Sequence, residues 1–200
     1  DRGASLIISK SAPEQAKFIC GMHSACKSAG VHATFSRMPE ITIRGVIAAL
    51  LTPFDSRGAV DWEALADQAS GMEAAGVHAI CVGGTASELA GSTAAEFGQV
   101  CKSARSAARI PMLASIYPDS TLEAIELGRA AADAGASVLL VSQPHYLFQP
   151  GADNFADMLQ QIRRNVPLPL MAVNTMRTAM LSTTDLRRLV ERGHLPYHRR

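Results

Sequence analysis

The sequence has no excess of either charge and no long apolar run. Lysine and arginine number 19 against 18 acidic residues, and the basic residues cluster only at the C-terminal end, in His198, Arg199 and Arg200. A polyanion therefore finds no basic patch, and no nucleic-acid partner is expected. Apolar runs such as residues 46–51 and 138–141 fall far short of the roughly 18 residues of a membrane helix. No membrane span is predicted.

The four cysteines lack the spacing of a disulfide framework or a zinc site. None forms a CxxC pair, although Cys20, His23 and Cys26 lie close together. Cys81 falls in an apolar run and Cys101 in a helical stretch, where a free cysteine usually packs as a small buried hydrophobe. We therefore expect no metal, no cofactor and a reducing compartment. Because no secretory signal is visible at the N-terminus, the cytoplasm is the default location.

The sequence does have a regular alternation of apolar runs and helical stretches, which starts near Ile41. With 48% hydrophobic and 18% charged residues, the chain can bury one core. The apolar runs are nearly continuous, as in strands covered on both faces, and the longer helical stretches between them predict βα units around a parallel sheet. The predicted strands are residues 42–49, 77–82, 111–116, 137–142 and 170–174.

Short signals mark where the predicted helices begin and end. Gly76 and Gly135 each stand between a helical stretch and an apolar run, where a glycine in the left-handed conformation often ends a helix. Two pairs fit the S/T-x-x-E capping box and a third is a weaker version of it: Thr93 with Glu96, Ser120 with Glu123, and Ser182 with Asp185. The first helix is predicted to turn an apolar stripe toward the sheet, made of Trp62, Leu65, Ala69 and Met72.

The first 40 residues do not join this pattern. They mix serine, alanine, lysine and glycine without sustained periodicity, and Met38 stands immediately before the first strand, where a natural start would be. We therefore divide the chain into an N-terminal extension, residues 1–40, and an α/β domain, residues 41–200. The extension is expected to be poorly ordered, with at most a short helix over residues 14–23.

Deletion of residues 1–37 tests this division. Because the segment offers no sustained apolar face, its removal should leave the free energy of unfolding, measured by urea denaturation, nearly unchanged. A loss of more than about 2 kcal/mol would place the segment in the core.

Four segments at or directly after the ends of predicted strands carry a family resemblance. They are GVIAALLTPFD at residues 45–55, GTASE at 84–88, PHY at 144–146 and VNTMRT at 173–178. In this order, over roughly residues 41–193, they resemble the dihydrodipicolinate synthase and N-acetylneuraminate lyase family. The resemblance implies a (β/α)8 TIM barrel of which about the first five βα units are present. It places the segments at the carboxyl ends of strands, where barrel enzymes keep their chemistry.

The resemblance also implies roles for single residues. Gly84 and Thr85 would receive the carboxylate of a 2-oxo acid, and Thr85 would also relay protons, whereas Ala86 lacks the second hydroxyl of the family motif. Tyr146 would keep an aromatic position that reaches a neighbouring active site across a dimer contact, and it would be catalytic there, near the proton path with Thr85. Arg177 would hold a substrate carboxylate. Local alternatives stay open for each: an ordinary strand-end turn, a loop tyrosine packed on the barrel rim, and an exposed loop arginine.

Three departures from the family pattern concern the chemistry itself. His145 replaces the first aromatic residue of its motif, and Val173 stands at the position of the relay tyrosine, where it has no titratable hydroxyl. The family's Schiff-base lysine lies at the end of the sixth strand, and none of the four lysines of this chain takes that place: Lys10, Lys17, Lys27 and Lys102. Since a complete barrel needs roughly 250 residues, we expect the lysine to lie beyond this chain, and the chain as given to be inactive.

Two functions therefore stay open. The first is a carbon–carbon lyase or aldolase of the class I type, which acts on a 2-oxo acid such as pyruvate and an aldehyde, without a cofactor, as a homo-oligomer of the full-length protein. The alternative is a non-catalytic paralogue or fragment that binds a small acid or a barrel subunit. The sequence that follows Arg200 would separate them.

Overall fold

The computed structural model describes residue 43 and residues 45–144, 151–174 and 181–191. In these residues five strands alternate with five helices, and a short 3-10 helix, Thr85–Ser87, follows the second strand. The elements are β1 (Ile47–Ala49), α1 (Trp62–Ala74), β2 (Ala79–Val82), α2 (Ala94–Ala107), β3 (Met112–Ile116), α3 (Thr121–Asp133), β4 (Val138–Ser142), α4 (Ala152–Asn165), β5 (Leu170–Val173) and α5 (Thr183–Glu191). All five predicted strands are confirmed, and β1 is the one most shortened.

The strands form one parallel sheet in the order β1-β2-β3-β4-β5. Each strand pairs with the next strand of the sequence, so the order does not reverse as it does at the switch point of a doubly wound sheet. Sequential parallel strands that are each followed by a helix are the arrangement of the (β/α)8 barrel. The predicted fold class is confirmed: the described residues form five βα units of a partial barrel.

The two faces of the sheet belong to two separate apolar clusters. Successive side chains of a strand point to opposite faces, and in β3 Met112, Ala114 and Ile116 join the cluster that contains the buried residues of the helices. Leu113 belongs to the second cluster, on the face turned away from the helices, which we call the inner face. Its buried members are Ile43, Ala79, Cys81, Leu113, Val138, Leu140 and Met171.

The two cysteines of the described region, Cys81 and Cys101, are free and buried. Burial raises the pKa of the Cys81 thiol to about 11. The pKa of Cys101 rises to about 12, first through burial and then through the charge of the nearby Cys81 thiolate. Both therefore stay protonated near neutral pH and pack as small hydrophobes, as predicted. Cys20, His23 and Cys26 lie outside the described residues.

All three predicted N-terminal caps form, but the pair predicted to be weaker is a complete capping box and one of the two stronger predictions is not. Thr93 and Glu96 form the predicted reciprocal pair: Thr93 Oγ1 accepts from the Glu96 N–H at 3.2 Å, and Glu96 Oε2 accepts from the Thr93 N–H at 2.9 Å. The pair predicted to be weaker, Ser182 with Asp185, is also reciprocal, with both distances at 3.2 Å. The Ser120 box is incomplete. Ser120 Oγ accepts from the Glu123 N–H, but the Glu123 carboxylate accepts from the Asp119 N–H at 2.8 Å instead of from the Ser120 N–H.

One part of the predicted stripe in α1 is wrong. Leu65 and Ala69 are fully buried and Met72 packs against the core, but Trp62 is 43% exposed. Trp62 is the first residue of α1, directly after the Asp61 cap, and the contact with the core starts one turn later at Leu65. The two glycines at the helix-to-strand joints have φ angles of +78° and +84°, as predicted.

Candidate functional site at the carboxyl ends of the strands

The segment after β1 forms a closed loop that is held by its own hydrogen bonds. The carboxylate of Asp55 accepts from the backbone N–H groups of Arg57 at 2.8 Å and Ala59 at 2.9 Å. These bonds, that of Ala59 first, hold the pKa of Asp55 below its usual value. At the start of the loop the Leu51 N–H donates to Gln68 Oε1 of α1 at 2.7 Å. The TPFD motif therefore belongs to a connection that local hydrogen bonds hold in place.

The segment after β2 presents Thr85 to solvent. Residues Thr85–Ser87 form one 3-10 turn, in which both the N–H and the hydroxyl of Ser87 donate to the Gly84 carbonyl, at 2.9 and 2.6 Å. Ser87 is 1% exposed, whereas Thr85 and Ala86 are exposed and Gly84 is half-buried. The buried Ser87 bonds hold the loop, and the Thr85 hydroxyl is left available at the carboxyl end of β2.

The ends of β4 and β5 bring Ser142 beside Val173. Their Cα atoms are register partners, and Val173 packs against the inner cluster. Ser142 has the same parity as Val138 and Leu140, so it belongs to the inner face. It is 0% exposed, and its Oγ has no hydrogen-bond partner in the described part of the chain. A buried hydroxyl without a partner costs free energy and calls for an explanation.

Sequence reasoning missed Ser142 and also Tyr117, which follows directly after β3. Ile116, the last residue of β3, pairs with Val141, so Tyr117 stands at the level of Ser142 and is half-buried. The sequence did contain a sign of Ser142. Every second residue of β4 faces inward, and Ser142 is the polar residue that ends the apolar row of Val138 and Leu140. This sign could not be read without knowing which row faces inward.

Two of the predicted site residues are not covered by the structure. Tyr146, with His145, lies in residues 145–150, and Arg177 lies in residues 175–180, both outside the described residues. The roles of Tyr146 and Arg177 stay predictions. The residues on either side of 175–180 are bonded to each other. Asn174 Oδ1 accepts from the Leu181 N–H at 2.8 Å, and Asn174 Nδ2 donates to the Leu181 carbonyl at 3.2 Å. Asn174 thus joins the two ends of that segment.

Neither a metal cluster nor an inward lysine is found where the structure can be described. No group of three or more His, Cys, Asp or Glu side chains in these residues could hold a metal ion. Lys102 lies on α2 and is exposed. The helices of the described ranges are also too short or too polar to cross a membrane.

Comparison with known proteins agrees with this architecture. The model of the dihydrodipicolinate synthetase family matches residues 42–194. The 4-hydroxy-tetrahydrodipicolinate synthase of Haloarcula marismortui is 34% identical over 138 residues, which are 68% of this chain and 45% of that protein. The enzyme of the same name from Natronomonas pharaonis is 35% identical over 138 residues, 68% of this chain and 47% of that protein. The chain spans about half the length of these relatives.

Solved structures also match the chain over about half of their own length. The dihydrodipicolinate synthase of Acinetobacter baumannii, complexed with pyruvate, superimposes with a TM-score of 0.71 at 34% identity over 78% of this chain and 54% of that chain. The synthase of Aquifex aeolicus gives a TM-score of 0.66 at 30% identity over 74% of this chain and 51% of that chain. The N-acetylneuraminate lyase of Fusobacterium nucleatum shares the fold, with a TM-score of 0.67 at 18% identity over 76% of this chain and 54% of that chain. From the matched span and these relatives, the chain belongs to the dihydrodipicolinate synthetase family.

Proposed function

We propose that this chain is the N-terminal part of a carbon–carbon lyase or aldolase that acts on a pyruvate-like 2-oxo acid through a lysine Schiff base. The observation that carries the proposal is the exposed Thr85 at the carboxyl end of β2. Its loop is stabilised by the hydrogen bond from the buried Ser87 hydroxyl to the Gly84 carbonyl. The pyruvate complex of the Acinetobacter baumannii relative supports the choice of ligand. The aldehyde partner, the cytoplasmic location and the homo-oligomer predicted from the sequence remain parts of this proposal.

The roles proposed for the Gly84–Thr85 segment and for the lysine follow from the chemistry of 2-oxo acids. The Gly84–Thr85 segment would bind the carboxylate through backbone N–H groups and the Thr85 hydroxyl, which suit an anion. A neutral lysine amine would add to the 2-carbonyl carbon, and loss of water would leave an imine that accepts the electron pair released when a carbon–carbon bond breaks. None of the four lysines suits this role by its place in the sequence, so the proposal assigns the amine to a lysine beyond Arg200.

The rival proposal is a non-catalytic family member that binds a small acid or a barrel subunit. It is favoured by Ala86 and Val173, which remove two hydroxyls from the family pattern, and by the unassigned lysine. Val173 is half-buried beside the inner cluster and supplies no proton donor there. An active enzyme would need that hydroxyl from another residue.

Borohydride trapping separates the two proposals. The protein is expressed to the natural stop codon of its gene, incubated with pyruvate and reduced with borohydride, and the intact mass and the peptide masses are measured. The enzyme proposal expects one stoichiometric lysine adduct outside residues 1–200, since borohydride reduces an imine to a stable amine. Samples without pyruvate and without borohydride are the controls. If the protein shows no mass shift, the Schiff-base proposal is wrong and the non-catalytic one is favoured.

A further inference from the structure

We propose that Ser142 and Tyr117 form a second hydrogen-bonding subsite at the mouth of the barrel, which binds an oxygen of the small acid ligand. The inference rests on the proposed function for the identity of that ligand. It adds two residues that the family motifs do not contain. Tyr117 follows β3, and Ser142 is the last residue of β4.

The first observation is the unpartnered hydroxyl of Ser142. Its Oγ is completely buried at the end of β4, on the inner face, and no described group bonds to it. Burial of a hydroxyl without a partner is unfavourable, because the hydrogen bonds to water are lost and not replaced. The second unpartnered group, Gln143 Nε2, belongs to the next residue and therefore to the opposite parity. Ser142 is thus an inward polar group whose hydroxyl lacks a partner among the described residues.

The second observation is the level at which Tyr117 stands. The last register pair between β3 and β4 is Ile116 with Val141, and the last pair between β4 and β5 is Ser142 with Val173. Tyr117, directly after β3, therefore falls in one layer with Ser142 and Val173, the last residues of β4 and β5. Neighbouring strands lie about 5 Å apart, so the backbones of Tyr117 and Ser142 stand side by side in this layer. Tyr117 also has the parity of Leu113, which lies in the inner cluster.

The chemistry of the two groups indicates which ligand atoms they take. A serine and a tyrosine hydroxyl each donate one hydrogen bond. They suit a carboxylate or carbonyl oxygen, which accepts such bonds. Val173 beside them offers only an apolar surface. The layer therefore places two donors next to an apolar neighbour, and this matches a short 2-oxo acid, which has oxygens at one end and a methyl group at the other.

The test measures pyruvate affinity and stability in the same set of variants. Protein expressed to the natural stop codon is compared with Ser142→Ala, Tyr117→Phe and the control Ser106→Ala, which removes an exposed hydroxyl on α2. Pyruvate binding is followed by isothermal titration calorimetry. Ser142→Ala and Tyr117→Phe should each raise the Kd by about five- to tenfold, the loss of one hydrogen bond, and Ser106→Ala should leave the Kd unchanged.

Thermal unfolding without ligand distinguishes a binding role from a structural one. Ser142→Ala removes an unsatisfied buried group and should keep or raise the Tm, whereas Ser87→Ala removes a buried hydroxyl bonded to the Gly84 carbonyl and should lower it. The subsite is wrong if the parent protein binds pyruvate and the Kd of both variants stays within about twofold of it. It is also wrong if Ser142→Ala destabilises like Ser87→Ala with no change in Kd. If the parent itself does not bind pyruvate, the proposed function fails, and the subsite fails with it.

Discussion

Residues 1–200, purified alone, should catalyse no carbon–carbon bond cleavage and should trap no pyruvate on borohydride reduction. The reason is the position of the amines. Lys102 is exposed on α2, in the helical layer, whereas the described inner face of the sheet is formed by apolar side chains and the Ser142 hydroxyl. The other three lysines belong to the first 40 residues, which carry none of the family motifs. Turnover and adduct mass are measured beside a form extended to a complete barrel.

The open edges of the sheet lead to an accompanying expectation. In the described residues β1 pairs only with β2, and β5 pairs only with β4, so each end of the sheet presents unpaired backbone N–H and carbonyl groups. Such edges associate with other chains. Size-exclusion chromatography of residues 1–200 should therefore show aggregates or oligomers instead of a monomer. Stoichiometric trapping on any of the four lysines, with turnover equal to that of the extended form, would contradict the assignment of the nucleophile.

Replacement of Gly83 by alanine should unfold the protein or cost about 3 kcal/mol or more of its stability. Gly83 has a φ angle of +80°, and a Cβ atom there would overlap the backbone carbonyl oxygen of Ser115 and come within 2.7 Å of the Phe97 ring. The oxygen belongs to β3 and cannot move without breaking the sheet, so the overlap adds to the roughly 1–2 kcal/mol of backbone strain. If the Gly84–Thr85 loop binds pyruvate as proposed, its displacement should also weaken that binding.

Gly76 provides the matched control for this substitution. It has nearly the same φ angle, +78°, but a Cβ atom there would meet nothing within 4 Å. Gly76→Ala should therefore lose only the stability that the strain of the left-handed conformation costs, roughly 1–2 kcal/mol. Both variants are unfolded in urea and their free energies of unfolding are compared with the parent. Equal losses would show that the close contact at Gly83 does not determine its identity.

The predictions that held depend on neighbours along the chain. The five strands were found from continuous apolar runs, and the Thr93–Glu96 box forms because its two residues lie one helical turn apart. The family motifs could likewise be found without a structure. Strand bounds were predicted less well, because the run predicted over residues 42–49 begins before Ile47, the first residue of the described ladder, and only the partner strand decides where the ladder begins.

The features that could not be predicted depend on contacts between strands. The sequence by itself determined the fold class, the family, the order of the strands along the chain and the Thr85 loop, since each is encoded in a short segment. Only the tertiary structure showed that Ser142 has no partner, that Tyr117 stands level with Val173, and that Trp62 is exposed. The physical reason is register: a shift of one residue would turn every inward side chain outward, and register is set by backbone pairing between strands about thirty residues apart.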